Sequence, residues 1–204
     1  MEEPSMEVFL RGLLPRLLTD DRTFDVHPFQ GKMDLMKNLE SRLRGYAAWL
    51  PEDYRVVVVV DRDDDDCHVL KRRLEEIAFQ AGLQSRTQSR ESWRLVNRIA
   101  VEELEAWYFG DWEAVVGAFP KLSPNVPNQK RFRNPDAISG GTWEAFERLL
   151  NACGYYKSGL PKIEVARTLG RVIDPDRCRS KSFQCFRDAV RDAVEAPAPI
   201  GNGR

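Results

Sequence analysis

Two rhythms of apolar residues run along this chain. Phe9, Leu13, Leu14, Leu17 and Leu18 recur at helical spacing, with Pro15 inside the stretch. Residues 32–50 read as a second helix that Pro51 closes. Val69, Leu70, Leu74, Ile77, Ala78 and Ala81 share one face of a third, and Gly82 suits its C-terminal end. Between the second and third helices lies an unbroken apolar run, Val56 to Val60. A β-branched run of that length, bounded by polar residues, predicts a strand buried on both faces. Thr23–Phe29 and Trp93–Ala100 are further strand candidates, and Glu102–Phe109 a short helix. Strands alternating with helices imply right-handed crossovers, hence an α/β fold with a mostly parallel sheet flanked by helices.

The texture changes after Phe119. Pro120 to Gly141 holds four prolines, two adjacent glycines and several basic residues, which reads as a long functional or mobile loop. Helical segments follow at Thr142–Ala152, Lys162–Ile173 and Phe183–Val194. The expected organisation is an α/β domain over residues 1–118, a basic, proline-rich loop over 119–141, a helical subdomain over 142–195 and a flexible tail over 196–204. No internal repeat is present.

Composition narrows the partners. Among 204 residues, Lys+Arg 31 against Asp+Glu 32 gives a net charge of -1, so any nucleic-acid surface must be local rather than spread over the whole body. No apolar run approaches a membrane span, and no basic-then-apolar leader is seen. Cys67, Cys153, Cys178 and Cys185 form no Cys-x-x-Cys pair, which suits reduced thiols in a cytoplasmic protein and argues against zinc.

The chemistry concentrates where the valine run ends, in Asp61-Arg62-Asp63-Asp64-Asp65-Asp66. Five acids cannot be buried unpaired, so the chain must leave the core abruptly there. In open parallel sheets ligands bind outside the strand carboxyl ends. Asp61 and Asp63, two apart on extended backbone, are expected on one side, and a hard divalent cation offsets their repulsion. Asp65 and Asp66 are equally well read as a helix start, since carboxylates favour helix N-termini. Glycine and glutamate are absent from the sixth and twelfth positions, which excludes an EF-hand. Glu102 and Glu105 would share one helix face, with Leu104, Trp107 and Tyr108 inward, or else form a solvated face. Ser5 and Asp111 are read as helix caps. Lys157, between Gly154 and Gly159, is a candidate to stabilise charge on a phosphate, or an ordinary surface lysine. Lys130, Arg131, Arg133, Arg177, Arg179 and Lys181 could line a phosphate-binding surface or be merely solvated. His27 lies near no nucleophile pattern, and His68 is at most a weak ligand candidate.

Taken in order, Met1-Glu2-Glu3-Pro4-Ser5-Met6-Glu7, Val60-Asp61-Arg62-Asp63-Asp64, Glu103-Leu104-Glu105-Ala106-Trp107, Tyr156-Lys157 and Arg179-Ser180-Lys181-Ser182-Phe183 resemble the family catalogued as domain of unknown function 4276, a TOPRIM-like group related to nuclease domains of the overcoming-lysogenization-defect type. The resemblance implies phosphodiester chemistry with Mg²⁺ or Mn²⁺. By position, Glu2, Asp61, Asp63, Glu105 and Lys157 match catalytic positions, while Glu2, Glu7, Asp61, Asp63, Asp65 and Glu105 are the candidate metal ligands. It also implies nucleic acid as substrate, DNA ahead of RNA, an ABC-type ATPase as partner and a role in phage defence; a homo-oligomer is compatible. Glu3 stands where the family has glycine and Met6 where it has glutamate. The strand that ordinarily precedes the glutamate is expected to be missing or mostly missing.

The working expectation is therefore a metal-dependent nuclease. A haloacid-dehalogenase-like phosphatase shares the Asp-x-Asp pair, but Asp64 and Asp65 fit its following positions badly. A nucleotide-sugar transferase lacks an apparent donor-binding unit. The non-enzyme alternative is an interaction or sensor subunit of an ATPase system. The chain has no phosphate-binding Gly-x-x-x-x-Gly-Lys-Ser/Thr loop, so ATP dependence would have to come from another protein.

Overall fold

A computed structural model describes residues 1, 3–19 and 21–195. Glu2 and the tail from Ala196 lie outside the described residues. The fold is mixed α/β and mainly helical, built round a two-stranded parallel sheet. Its strands are β1 (Val56–Asp61) and β2 (Leu95–Ala100), in register from Val56 opposite Leu95 to Asp61 opposite Ala100. The valine run is thus a strand, as its β-branched composition requires.

Side-chain alternation on β1 explains the layers. Val58 and Val60 face a core built with Leu35, Leu39 and Leu43 of α2 (Lys32–Trp49) and with Leu70, Leu74 and Ile77 of α3 (Cys67–Gln80). Val59 faces the larger core on the opposite side. That core draws on α1 (Pro4–Leu13), α4 (Glu105–Gly110), α5 (Trp112–Ala118), α6 (Thr142–Ala152), α7 (Lys162–Val172) and α8 (Lys181–Glu195). A strand buried on both faces is the outcome. The same large core joins Met6 and Phe9 to Leu150, Leu169 and Phe183, so apolar packing runs continuously across residue 118.

Helix ends follow local chemistry. Asp66 caps α3, accepting from the N–H groups of His68 and Val69 (both 2.9 Å). Gly82 follows α3 with φ of 78°, and Leu83 N–H reaches back to the Ala78 carbonyl, the αL close expected of glycine. Asp111 caps α5 through Ala114 N–H. Its buried carboxylate also accepts from Asp174 N–H (2.7 Å) and from two nitrogens of Arg177. Arg177 is therefore committed to holding the fold together rather than to a phosphate surface.

Several expectations are corrected. Thr23–Phe29 forms no strand; it meets only Met1, whose ammonium donates to the His27 carbonyl (3.2 Å) and whose carbonyl accepts from Phe29 N–H (2.9 Å). The first helix stops at Leu13, and Pro15 sits in a separate 3₁₀ turn, Leu14–Arg16, because proline cannot donate to the preceding helical turn. Ser5 is not the N-cap: Glu3 holds that position, and Ser5 Oγ donates to its carboxylate (3.2 Å). The stretch 120–141 is not open loop. It carries 3₁₀ turns at Val126–Asn128, Lys130–Phe132 and Pro135–Ala137, and it buries Leu122, Val126, Phe132 and Ile138. The prolines start turns instead of unravelling the chain.

The first and seventh helices make the closest crossing. Gly12 and Gly170 replace side chains at the contact, and Arg16 caps the end of α7 through the carbonyls of Ile173 (2.7 Å) and Gly170 (2.6 Å). A Cβ at Gly170 would lie 2.4 Å from the Phe9 carbonyl oxygen. Gly170→Ala should therefore destabilise the fold by about 1–3 kcal/mol in urea unfolding, since backbone cannot give way as a side-chain tip can. Gly45→Ala, on the exposed face of α2 with nothing within 4 Å, should instead stabilise by about 0.5–1 kcal/mol. Equal effects at the two positions would show that helix propensity, not the crossing, controls them.

Candidate acidic site at the strand ends

The carboxyl ends of β1 and β2 open on one rim, as the parallel order requires. Alternation puts Asp61 on the Val59 side, towards α4 and α1, and Asp61 is buried at 7 % exposure. Beyond it the backbone turns. Asp63 has φ of 49°, and its N–H bonds the carbonyl of Glu102, itself at φ 66°. The extended geometry assumed for Asp61 and Asp63 ends at Asp61, so the two do not face one side as a strand pair would.

Lys32, the first residue of α2, occupies the place assigned to a cation at the acidic turn. Its Nζ donates to the carbonyls of Asp61 (2.9 Å) and Arg62 (2.8 Å), and pairs with the carboxylates of Asp63 (3.1 Å) and Asp65 (2.6 Å). Burial pulls against the Lys32 ammonium, but the hydrogen bonds to Asp65 and Asp63 prevail and hold its pKa above the ordinary lysine value. Asp63 and Asp65 are thus engaged by an ammonium. Their sequence signal was plain; the lysine that meets them lies about thirty residues away and had none.

The Glu-rich stretch divides just as sharply. Glu102 precedes the helix, so it does not share a helical face with Glu105; it pairs with Arg62. Glu103 caps α6, accepting from Thr142 Oγ1 and Trp143 N–H (both 2.9 Å). Glu105 begins α4 and is buried at 4 % exposure. Burial pushes its carboxyl up to about 7; the charges of Glu103 and Glu3 add to the rise, while Lys162 and its own backbone N–H oppose it. Burial likewise raises the Tyr108 phenol, and the charges of Glu105 and Asp61 raise it further. Asp61, from the end of β1, and Glu105, from beyond β2, therefore act on the same buried ring.

The remaining predicted residues lie apart. Glu7, on α1, pairs with Arg11 (2.8 Å). Lys157 is exposed in the turn before α7. The lysine whose charge reaches Glu105 is Lys162, with its Nζ 4.3 Å from the centre of the Trp143 ring. Its one sequence signal was its place after Pro161 at a helix start. Glu2 is outside the described residues. Among the described residues, no three His, Cys, Asp or Glu side chains are gathered to hold a metal ion. The donor chemistry of the Asp61 and Glu105 pair nonetheless suits a hard cation, because Mg²⁺ keeps several waters and takes as few as one or two protein carboxylates.

Two further sequence motifs prove architectural. Trp107 Nε1 donates to Ser182 Oγ (3.0 Å), and the Trp107 ring packs on Phe183 and Phe186, each 5.2 Å between centroids. Asp136 accepts from the hydroxyls of Ser180 (2.7 Å) and Ser182 (2.9 Å) and from the N–H groups of Lys181 and Ser182, fixing the start of α8.

A mixed α/β protein with carboxylates on one sheet rim is the class these features define. The chain belongs to the family described as Domain of unknown function (DUF4276), which matches residues 1–191. No curated protein and no solved structure matches it. Among the described residues, no helix is long and apolar enough to cross a membrane.

The buried glutamate sets a pH dependence for the cation-free protein. Its folded pKa, about 7, lies above the usual 4.5, so the native state keeps a proton that the unfolded chain releases between those limits. The stability this proton brings is complete below about pH 4.5 and is lost as pH rises through about 7. The loss at alkaline pH is on the order of 3 kcal/mol. Glu105→Gln should flatten that segment of a plot of unfolding free energy against pH and stabilise the protein at about pH 8. An unchanged slope would remove Glu105 as its source.

Proposed function

We propose that the protein is a nuclease of TOPRIM-like type that hydrolyses phosphodiester bonds with Mg²⁺ or Mn²⁺, Asp61 and Glu105 being the carboxylates that hold the cation. The observation carrying this reading is that these two acids, from the ends of adjacent parallel strands, both act on buried Tyr108. Glu105 is raised to about 7 with no anion partner of opposite charge closer than the influence of Lys162. A carboxylate strained in this way gains from a cation beside it. The resemblance adds Glu2 as a further ligand. Asp63 and Asp65, neutralised by Lys32, shape the turn, and Glu7 pairs within its own helix.

A bound hard cation polarises a phosphate oxygen and makes its water more acidic. The chain's own groups supply the rest. Glu105, titrating near neutrality, is suited to accept a proton if it is not fully engaged as a ligand. Lys162 brings positive charge to the side of the site where a scissile phosphate or its leaving oxygen would carry negative charge. The Asp61 carbonyl, tied to Lys32, keeps the strand end from drifting. Nucleic acid as substrate, an ATPase partner and a cytoplasmic role in phage defence follow from the family resemblance and belong to this same reading.

The second reading, a non-catalytic subunit of an ATPase system, is favoured by one observation: an ammonium already fills the acidic turn. Cleavage of single- and double-stranded DNA and of RNA separates the two. The nuclease reading expects cleavage with Mg²⁺ or Mn²⁺, abolished by chelation, and a drop of about 10²-fold or more in Asp61→Asn and Glu105→Gln. Lys32→Met should retain activity. Undiminished cleavage by Asp61→Asn would sink the assignment. Absence of cleavage with and without a co-purifying ATPase would favour the second reading.

A further inference from the structure

β1 is hydrogen-bonded along one edge only. Val56 N–H donates to the Arg94 carbonyl and Arg62 N–H to that of Ala100, so the even-numbered positions bond to β2. Val57 and Val59 turn their N–H and C=O groups the other way, and no described residue pairs with them there. A cavity of about 390 Å³ borders that edge. All of Val56, Val57, Val58 and Val59 line it. A cavity over a sheet face would meet alternate residues only, so consecutive ones mark a space beside the edge.

Its other walls complete the picture. Leu39, Leu43 and Tyr46 come from the helical layer on one face of the sheet, and Leu10, Leu14 and Val190 from the layer on the other. The far side is the segment from Thr23 to Phe29. The space thus lies between both helical layers, in the plane of the sheet, bounded by β1 and an irregular segment. Those are the walls of a strand position. Main-chain groups left facing such a space are costly, and only another extended backbone satisfies a row of them.

Met1 identifies the occupant. It lines the same cavity, and its two bonds to His27 and Phe29 have the pattern of a parallel pairing centred on Pro28. Its ammonium end therefore points along the groove, parallel to residues 23–29. We propose that this groove accepts one extended apolar segment, inserted between β1 and residues 23–29 and carried ahead of Met1 on the same polypeptide. The lined edge of β1, Val56 to Val59, gives it a length of about 13 Å. The inserted strand pairs with Val57 and Val59 and completes a three-stranded parallel core. This inference is independent of the proposed chemistry.

The test compares three proteins: the chain as it stands, the chain preceded by a short valine- and isoleucine-rich segment, and the chain preceded by a Gly/Ser segment of equal length. Native-state hydrogen exchange at the Val57 and Val59 amides is the readout. The apolar extension should slow exchange there by about tenfold or more and raise the melting temperature, while the Gly/Ser extension changes neither. Equal exchange in all three overturns the proposal. Should the apolar-extended chain fail to fold, the same segment added as a free peptide in excess gives the reading: protection of Val57 and Val59 supports the acceptor groove, and unaltered exchange overturns it.

Discussion

The strand Val56–Asp61 is buried on both faces, and the rest of the molecule is arranged to satisfy that burial. Two strands cannot cover themselves, so α2 and α3 close one face while α1, α4 and α8 close the other. Both faces being apolar, the charged residues that follow are compelled to emerge at the strand's end. Asp61 is the one that does not fully escape. It keeps the alternation of the strand and so points into the larger core, where Tyr108 lies. The acidic rim is therefore a consequence of strand burial before it is anything chemical.

Around that rim the fold treats its acids in two ways. Most are neutralised locally: Asp63 and Asp65 by Lys32, Glu102 by Arg62, Glu103 by the exposed amides at the start of α6, Asp66 by those of α3. Glu105 receives no comparable partner. Lys162 opposes its shift, yet burial and the neighbouring charges of Glu103 and Glu3 win and keep it near neutrality. A fold able to cap four acids so closely leaves the buried fifth raised, at the position where a parallel sheet binds ligands. Selection for stability alone would favour glutamine there. That contrast supports a working role for Glu105.

The sequence was readable wherever one segment decides its own structure. The valine run, the α6 limits at Thr142 and Ala152, and the caps Asp66 and Asp111 rest on local periodicity and local hydrogen bonds, and they stand in the fold as read. Misreadings arose where distant segments meet. Asp63 is turned by a backbone pairing with Glu102, and its partner lysine comes from the start of α2. Lys157 and Lys162 are separated by a turn whose direction no local pattern fixes, so the nearer match to a family motif was the exposed one. The proline-rich stretch 120–141 did carry a signal: Leu122, Val126, Phe132 and Ile138 are spaced as anchors for a packed irregular segment. Proline frequency obscured it.

The motifs that mark the family divide along the same line. Trp107 and Ser182 touch each other, and Asp136 ties the serine pair to the long connecting stretch. These contacts seat α4 against α8, and Gly110 permits it, since a Cβ there would meet Cys178 Sγ at 2.4 Å. Glu105 lies two residues before Trp107 on the same short helix. A helix of six residues has too few internal hydrogen bonds to hold its own orientation, so its direction is set by the tryptophan anchor. The Glu-x-Trp spacing thus joins a chemical residue to the side chain that aims it, and the Ser-Lys-Ser stretch, far away in sequence, is the other half of that mount.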